Sequence, residues 1–520
     1  MAEAAPGKVA NRGIITVCLM IATLMQALDS TIANVALPYM QGSLSASYDE
    51  ITWVLTSYVV MAAIMTAPVG WLAARFGVKR LFIACLVGFT VTSMLCGIAQ
   101  SLTEMVLYRL LQGAFGAALV PLSQSTMLEI YPAEQRGVAM SIWGMGVMVG
   151  PILGPTLGGY LTDDFNWRYV FFVNLPFGIA AVLGLAALMP ARKPQQAGRF
   201  DWTGFGVLSL GLAALQLALD RGEELDWLGS STIVAAFVLA GLGFYLFIVH
   251  MLTAPRTFIP REIFKDRNFA AGLFTMFMVG MVLLASSALL APFLENLGNY
   301  PVATAGLVMA PRGFGTMFAM LVAGRLTNRA DPRLLMLFGY ILLGLSLYMQ
   351  EGWLPETSES YMVLTIVVQG AGLGFVFVPL QVVAFFTLDP ALRTQGTALL
   401  SLLRNVGSAI GISVTSALLD RMTIYMHANL MTHLTPFSRA MQTGGAVSQY
   451  WNPATKSGAA QLDALVTTQA QIIAYMDDYK FMFLSMLPAA ACLLLMRRPP
   501  RAGAEKMPGP GAAHESAVME

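Results

Sequence analysis

The 520-residue chain is 57% hydrophobic and only 11% charged, with a net charge of +1 at neutral pH. That is too little polar surface to cover a soluble globule of this size, so the composition points to a polytopic membrane protein. The near-neutral balance gives no basis for a nucleic-acid partner or for attraction to an acidic substrate.

The N-terminal MAEAAPGKVANRG lacks a small-residue cleavage site, so the first apolar segment is expected to stay as a signal anchor. That segment runs from Ile14 to about Pro38 and contains LMQALDSTIANVALP, with Asp29 in the middle. A carboxylate at that depth costs roughly 2.5 to 3.5 kcal/mol on insertion, and so calls for a partner or a pathway. Further apolar runs, each about 17 to 25 residues and able to cross ~30 Å of hydrocarbon, begin near Ile51, Leu81, Met105, Gly137 and Tyr169. Two more begin near Gly204 and Ser231, and six near Phe269, Ala303, Leu334, Tyr361, Gly396 and Lys480, which makes fourteen. An even number puts both termini on one side. Placing that side in the cytoplasm puts 21 of the 30 Lys and Arg residues inside, the asymmetry that orients membrane proteins. Arg109, Arg312 and Arg404 fall in or at the edges of spans.

The chain repeats itself. GWLAAR at 70 to 75 returns as GRLTNR at 324 to 329, an offset of 254. QGAFGAALVPLSQ at 112 to 124 returns as QGAGLGFVFVPLQ at 369 to 381, an offset of 257, and RGVAMS at 136 to 141 is echoed by RTQGTALLS at 393 to 401. Three echoes in one order at nearly one offset indicate a parallel repeat of six spans. The expected organisation is an N-terminal six-helix bundle over 14–190, an inserted two-helix hairpin over 203–251 and a C-terminal six-helix bundle over 269–498. The last contains an extracytoplasmic loop over 422–479, and a Pro/Gly/Ala-rich tail, 499–520, is expected to be disordered and cytoplasmic. Within the loop, Leu462, Leu465, Val466, Ile472, Ile473 and Met476 recur at helical spacing, which suggests a cap lying on the membrane surface or a partner-docking element. Cys18, Cys85, Cys96 and Cys492 all fall in apolar segments without CxxC spacing, as small buried hydrophobes do, and no metal site is indicated.

LDSTIANVALP, YRLLQGAFGAA, GVMVGPILGPTLGGY and NWRYVFFVNLPFG together resemble the signature set of the 14-helix drug:proton antiporters of the major facilitator superfamily, EmrB/QacA-like and closest to the EmrB branch. The resemblance implies an all-α integral membrane fold with 14 transmembrane helices, arranged as two pseudo-symmetric six-helix bundles plus the inserted hairpin. It implies multi-pass residence in a bacterial cell inner membrane, and proton-driven multidrug efflux of hydrophobic or toxic compounds by alternating access. The proton is then the coupling ion, with no other cofactor. A hydrophobic small-molecule substrate and membrane lipid are the expected partners, with a periplasmic adaptor (EmrA-like) and an outer-membrane channel beside them.

In the fifth span, Gly146, Gly150, Gly154, Gly158 and Gly159 make a smooth helix face, while Pro151 and Pro155 introduce kinks. Such a face suits either tight static packing or a moving interface, and the resemblance favours movement. Arg109 cannot shed its proton and needs water or an anionic partner. In the resembled family spans one and four lie together at the central cavity, which makes Asp29 its expected partner and the proton-linked acid. A purely structural role for Asp29 is the alternative. Gln26, Thr31, Asn34, Gln112, Gln124, Gln369, Gln381 and Arg404 are candidates to line the substrate cavity, or to bond between helices. The sequence departs from the family at the cytoplasmic end of span two, where Ala74, and Asn328 in the echo, replace a gating carboxylate; Arg75, Lys79 and Arg80 are then assigned to orientation and lipid contact.

Other readings stay open. A dedicated proton-coupled exporter of one metabolite, lipid or siderophore has the same signature. A membrane-embedded enzyme would need an acid/base or metal constellation at depth, whereas His250, His427, His433 and His514 lie at span ends or in loops. No GxxxxGK[ST] loop supports ATP drive.

Overall fold

With no water in hydrocarbon to satisfy backbone groups, each apolar run must bond within itself, and each does so as a helix. The computed structural model describes residues 11–191, 198–327, 329–434 and 455–497, among which there is no strand. Thirteen of its helices are long and apolar enough to cross a membrane, and a bent pair makes the fourteenth. In the first bundle these are α1 (Arg12–Ser43), α2 (Trp53–Thr66 with Val69–Phe76), α3 (Val78–Ile98), α4 (Leu102–Ile130), α5 (Arg136–Asp164) and α6 (Tyr169–Leu188). The inserted hairpin is α7 (Trp202–Arg221) and α8 (Ser231–Thr253). The second bundle holds α9 (Arg267–Leu297), α10 (Thr304–Leu326), α11 (Pro332–Glu351), α12 (Glu359–Phe386), α13 (Arg393–His433) and α14 (Lys456–Cys492).

Two prolines act differently. α1 continues through Pro38 to Ser43, beyond the expected end, because a proline forfeits only its own N–H bond and the residues after it keep theirs. α2 bends by 58° at the break that holds Pro68.

The repeated motifs pack crosswise. A Cβ on Gly70 would run into Gln395, and one on Gly324 would lie 2.6 Å from the Ser141 hydroxyl, so each copy of the first motif rests against the other bundle's copy of the third. This pseudo-twofold contact lies at the end that charge asymmetry assigns to the cytoplasm. Lys79 is drawn into the fold there: its Nζ donates to the Ala186 and Met189 carbonyls at 2.8 and 2.6 Å, capping the end of α6.

The hairpin straddles both bundles. Ser413 Oγ of α13 donates to the Leu219 carbonyl at 3.0 Å, and Arg221 lies 5.7 Å from the centre of the Trp53 ring on α2. Just past α7, burial pushes the Glu223 carboxyl up, and the facing charge of Asp420 adds to the effect. A carboxyl raised in the folded state contributes stability below its unfolded value and loses it as pH rises through the folded one. Mild acidification is therefore expected to tighten the contact between hairpin and α13. Glu223→Gln should remove that pH dependence from the melting curve; an unchanged slope in the variant would assign it elsewhere.

The last two spans are longer than a bilayer is thick. At 41 residues α13 extends for about 60 Å, roughly twice the hydrocarbon thickness, and α14 has 37. Their outer extensions are tied by His427 and Asp463 at 2.9 Å. The amphipathic stretch is thus the start of α14 and not a cap lying flat: Leu462, Val466 and Ile472 are buried, while Leu465 stays exposed. Residues 435–454 of the outward segment, the tail 499–520 and Asn328 lie outside the described residues.

Candidate functional site

Arg109 and Gln112 are three residues apart on α4 and so share a face. Asp29 of α1 meets them. Arg109 Nη1 donates to Asp29 Oδ2 at 2.7 Å, with both side chains at most 1% exposed. Gln112 Nε2 donates to Asp29 Oδ1 at 2.8 Å, and its own Oε1 accepts from Arg109 Nη1 at 2.8 Å. α2 supplies the Val54 carbonyl, 3.0 Å from Arg109 Nε, and the Tyr58 ring, whose centre is 4.2 Å from the guanidinium carbon. α6 supplies Asn174, whose Nδ2 donates to Asp29 Oδ1 at 3.4 Å and to Ser93 Oγ of α3 at 3.0 Å. Five spans thus converge on one ion pair with further hydrogen bonds on both partners. That is the condition under which a buried pair offsets its desolvation cost, and removing one partner from such a pair typically costs about 3–5 kcal/mol.

The glycine face of α5 lies directly against α1, on both sides of Asp29. A Cβ at Gly146 would come 3.1 Å from Met20, one at Gly150 2.6 Å from Ala27, and one at Gly158 2.9 Å from Ile32; one at Gly154 would collide with Thr31. Gly159 points into open space. The α5 backbone is helical through Pro151 and Pro155, whose side chains are outside the described set. Thr31 Oγ1 also donates to the Gly150 carbonyl at 3.3 Å, and α1 and α5 stay in close contact from Gly146 to Gly158, about three turns.

The remaining polar candidates separate into groups. Gln26 Nε2 donates to Tyr58 Oη at 3.3 Å, next to the ion pair, and Asn34 is exposed. Gln124 and Gln381, both buried, hydrogen-bond to each other across the two bundles. Beside them Trp143 of α5 stacks with Phe377 of α12, ring centres 6.1 Å apart and 9° from parallel. Gln369 turns away from the centre to Gln350 of α11, 3.3 Å from Nε2 to Oε1. Arg404 is half-buried and makes no hydrogen bond or ion pair among the described residues.

Sequence reasoning passed over Asn174, Tyr58 and Ser93, since Asn, Tyr and Ser are ordinary interhelical residues. The only signal was Asn174 standing in an otherwise apolar stretch. It also passed over the surroundings of Arg312 and over Asp478 of α14, fully buried with both carboxyl oxygens unpartnered among the described residues. No group of three or more His, Cys, Asp and Glu able to hold a metal occurs among the described residues.

The sequence model of the Major Facilitator Superfamily matches residues 19–412. The multidrug export protein EmrB of Escherichia coli (strain K12) is 34% identical over 477 residues, 91% of this chain and 90% of that protein. The protein of the same name from Haemophilus influenzae is 33% identical over 466 residues, 88% of this chain and 91% of its own. Among solved structures, the human organic anion transporter MFSD10 (TETRAN) superposes with a TM-score of 0.59 at 14% identity, over 92% of this chain and 99% of that one, a likeness of fold alone.

Proposed function

Starting from a chain that belongs to the Major Facilitator Superfamily, we propose that it is a multidrug efflux transporter of the EmrB type, driven by protons moving against the exported compound. The observation that carries the reading is the position of Asp29: a dry carboxylate paired with a permanent cation, on the helix that the glycine face of α5 clasps. The two EmrB relatives, aligned over nine-tenths of their own length and named for multidrug export, support drugs as the substrate class.

The residues suggest how the charge works. While the pair is formed, the interior of the first bundle is neutral. A proton arriving on Asp29 removes the counter-charge of Arg109, which keeps Gln112 and the Val54 carbonyl as partners. α1 is then held to α4 by neutral hydrogen bonds only and can shift along the Cβ-free surface of α5. A group that changes charge state and a helix interface with two arrangements are the parts that alternating access requires. In this reading no cofactor is needed beyond the proton, no bond in the substrate is broken, and the protein is a transporter and not an enzyme. We place it in a bacterial inner membrane with both termini cytoplasmic, and assign it a periplasmic adaptor and outer-membrane channel on the strength of the EmrB likeness.

The conformation described is closed at the basic-loop end, where Gln124 meets Gln381. Gln124→Ala should weaken that closure and raise labelling of a cysteine placed at Ser125 by a thiol reagent applied from the cytoplasmic side, several-fold over the same cysteine with Gln124 present. Equal labelling would remove the glutamine pair from the closure. The proposed function itself is tested by proton movement in vesicles reconstituted with the full chain. A hydrophobic drug added to one side should release protons from the other in wild type, and a drug that enters without proton flux would overturn the antiport reading.

A further inference from the structure

The base of the inserted hairpin holds a cavity that the proposed transport steps leave unused. The linker before α7 and the linker from α8 to α9 meet there, because Pro255 and Pro260 turn the chain out of α8. Asp201 fastens the two together: it caps α7 by accepting from the Gly204 N–H at 2.9 Å, and it pairs with His250 Nε2 of α8 at 2.9 Å. Trp71 of α2 closes a third side, its indole donating to the Gly198 carbonyl at 3.2 Å. Between them lies a cavity of about 560 Å³.

The lining is lopsided in charge. Arg199, Arg256, Arg261 and Lys265 line it with one carboxylate, Glu262. Arg261 is anchored, donating from Nη2 to the Ala254 carbonyl. Arg199, Arg256 and Lys265 make no hydrogen bond or ion pair among the described residues, so Glu262 pairs with none of them. The Arg256 guanidinium stands over the first linker: a Cβ on Gly198 would come 3.9 Å from its Nη1. Like charges gathered without counter-ions repel one another, and an anion held among them turns that repulsion into attraction.

The apolar wall of the cavity marks its depth. Phe200 packs on Trp71, Trp202 and Phe258, with ring centres 4.7, 4.8 and 6.1 Å away. Trp202, in the first turn of α7, is strongly exposed, as aromatic anchors at headgroup level are. Arg199 stands just before α7, Arg256 just past α8 and Lys265 just before α9, so the cations share the level at which these spans end. A dissolved anion would need only the charges. A lipid phosphate needs them at this depth, beside rings that its acyl chains can follow.

We propose that this cavity is the receptor for the phosphate of an anionic phospholipid from the leaflet at the basic-loop end, held by Arg199, Arg256 and Lys265. None of Arg75, Lys79 and Arg80 lines it, so it is distinct from the basic end of α2. The bound lipid joins both linkers of the hairpin to Trp71, the neighbour of Gly70, whose close contact with Gln395 bridges the bundles. The inference does not rest on the export reading.

The test uses the full chain in detergent micelles with phosphatidylglycerol dansylated on one acyl chain, read by energy transfer from tryptophan and displaced by unlabelled competitors. For wild type, phosphatidylglycerol should compete at least about tenfold better than phosphatidylcholine of the same chains, and inorganic phosphate should not compete. Arg199→Gln with Arg256→Gln should bring the two lipids to within about threefold of each other. Arg325→Gln with Arg329→Gln removes the same charge from the same end of the molecule but outside the cavity, and should keep the preference. Equal competition by the two lipids in wild type, a measurement that needs no variant, would overturn the proposal, as would an intact preference in the cavity variant. Equal loss in both double variants would reduce the attraction to net charge and overturn it as well. Displacement by inorganic phosphate as effective as by phosphatidylglycerol would assign the cavity to a free phosphate compound and not to lipid.

Discussion

Asp29→Asn is expected to abolish proton-coupled efflux while leaving drug binding measurable, and to destabilise the protein. The asparagine keeps the shape of the carboxyl and an acceptor oxygen but not the charge, so Arg109 remains buried among neutral groups: the amide itself, Gln112, the Val54 carbonyl and the Tyr58 and Phe171 rings. Breaking one side of a buried pair costs about 3–5 kcal/mol, most of it the penalty of the cation left behind. The stability and the coupling effects are separable. Asp29→Asn combined with Arg109→Met removes both charges and should regain most of the thermal stability while transport stays absent. A double variant that recovered efflux would show the pair to be structural. A single variant that retained normal efflux would take Asp29 out of the coupling role.

Gly154→Leu is expected to reduce transport strongly while leaving insertion and the total amount of protein in the membrane unchanged. Even a Cβ at this position collides with Thr31 of α1, two residues from Asp29, on the helix that Gly146, Gly150 and Gly158 also meet. Overpacking a close contact typically costs about 1–3 kcal/mol. Applied to one of two conformations, that biases their ratio on the order of 5- to 150-fold. Gly159→Leu is the matched control, since a side chain there meets open space and should leave transport near wild type. If Gly154→Leu transports normally, the glycine face is packing only.

The pairing of Asp29 with Arg109 was legible in the sequence because each residue breaks the composition of its span, and a charge in an apolar run needs a partner nearby. The glycine face was legible for the same kind of reason: glycines at four-residue spacing are costly in a helix unless something packs against them. The partner of that face was not legible, since nothing in α5 itself indicates that α1 lies on it. Gln112 illustrates a different limit. Glutamine in a span can bond another helix or a substrate, and only the structure places it on Asp29, one turn from Arg109. Asn174 and Tyr58 were missed because their types are unremarkable, and Gln369, the repeat-mate of Gln112, faces α11, where Gln350 is its partner.

Span ends were read less well than spans. The bilayer-length rule stops a helix where hydropathy falls, but α13 and α14 continue because each covers the other's outer extension, with His427 on Asp463. Pro38 reads as a stop and α1 passes through it. In each case a contact outside the local sequence decides where the helix ends.

The most direct test of the account is proton release from the purified chain when substrate binds, followed by a pH indicator in weakly buffered detergent solution. Wild type should release a proton as drug binds, and Asp29→Asn should bind the drug and release none. Equal release from the two proteins would contradict the assignment of Asp29 as the group that exchanges its proton for cargo.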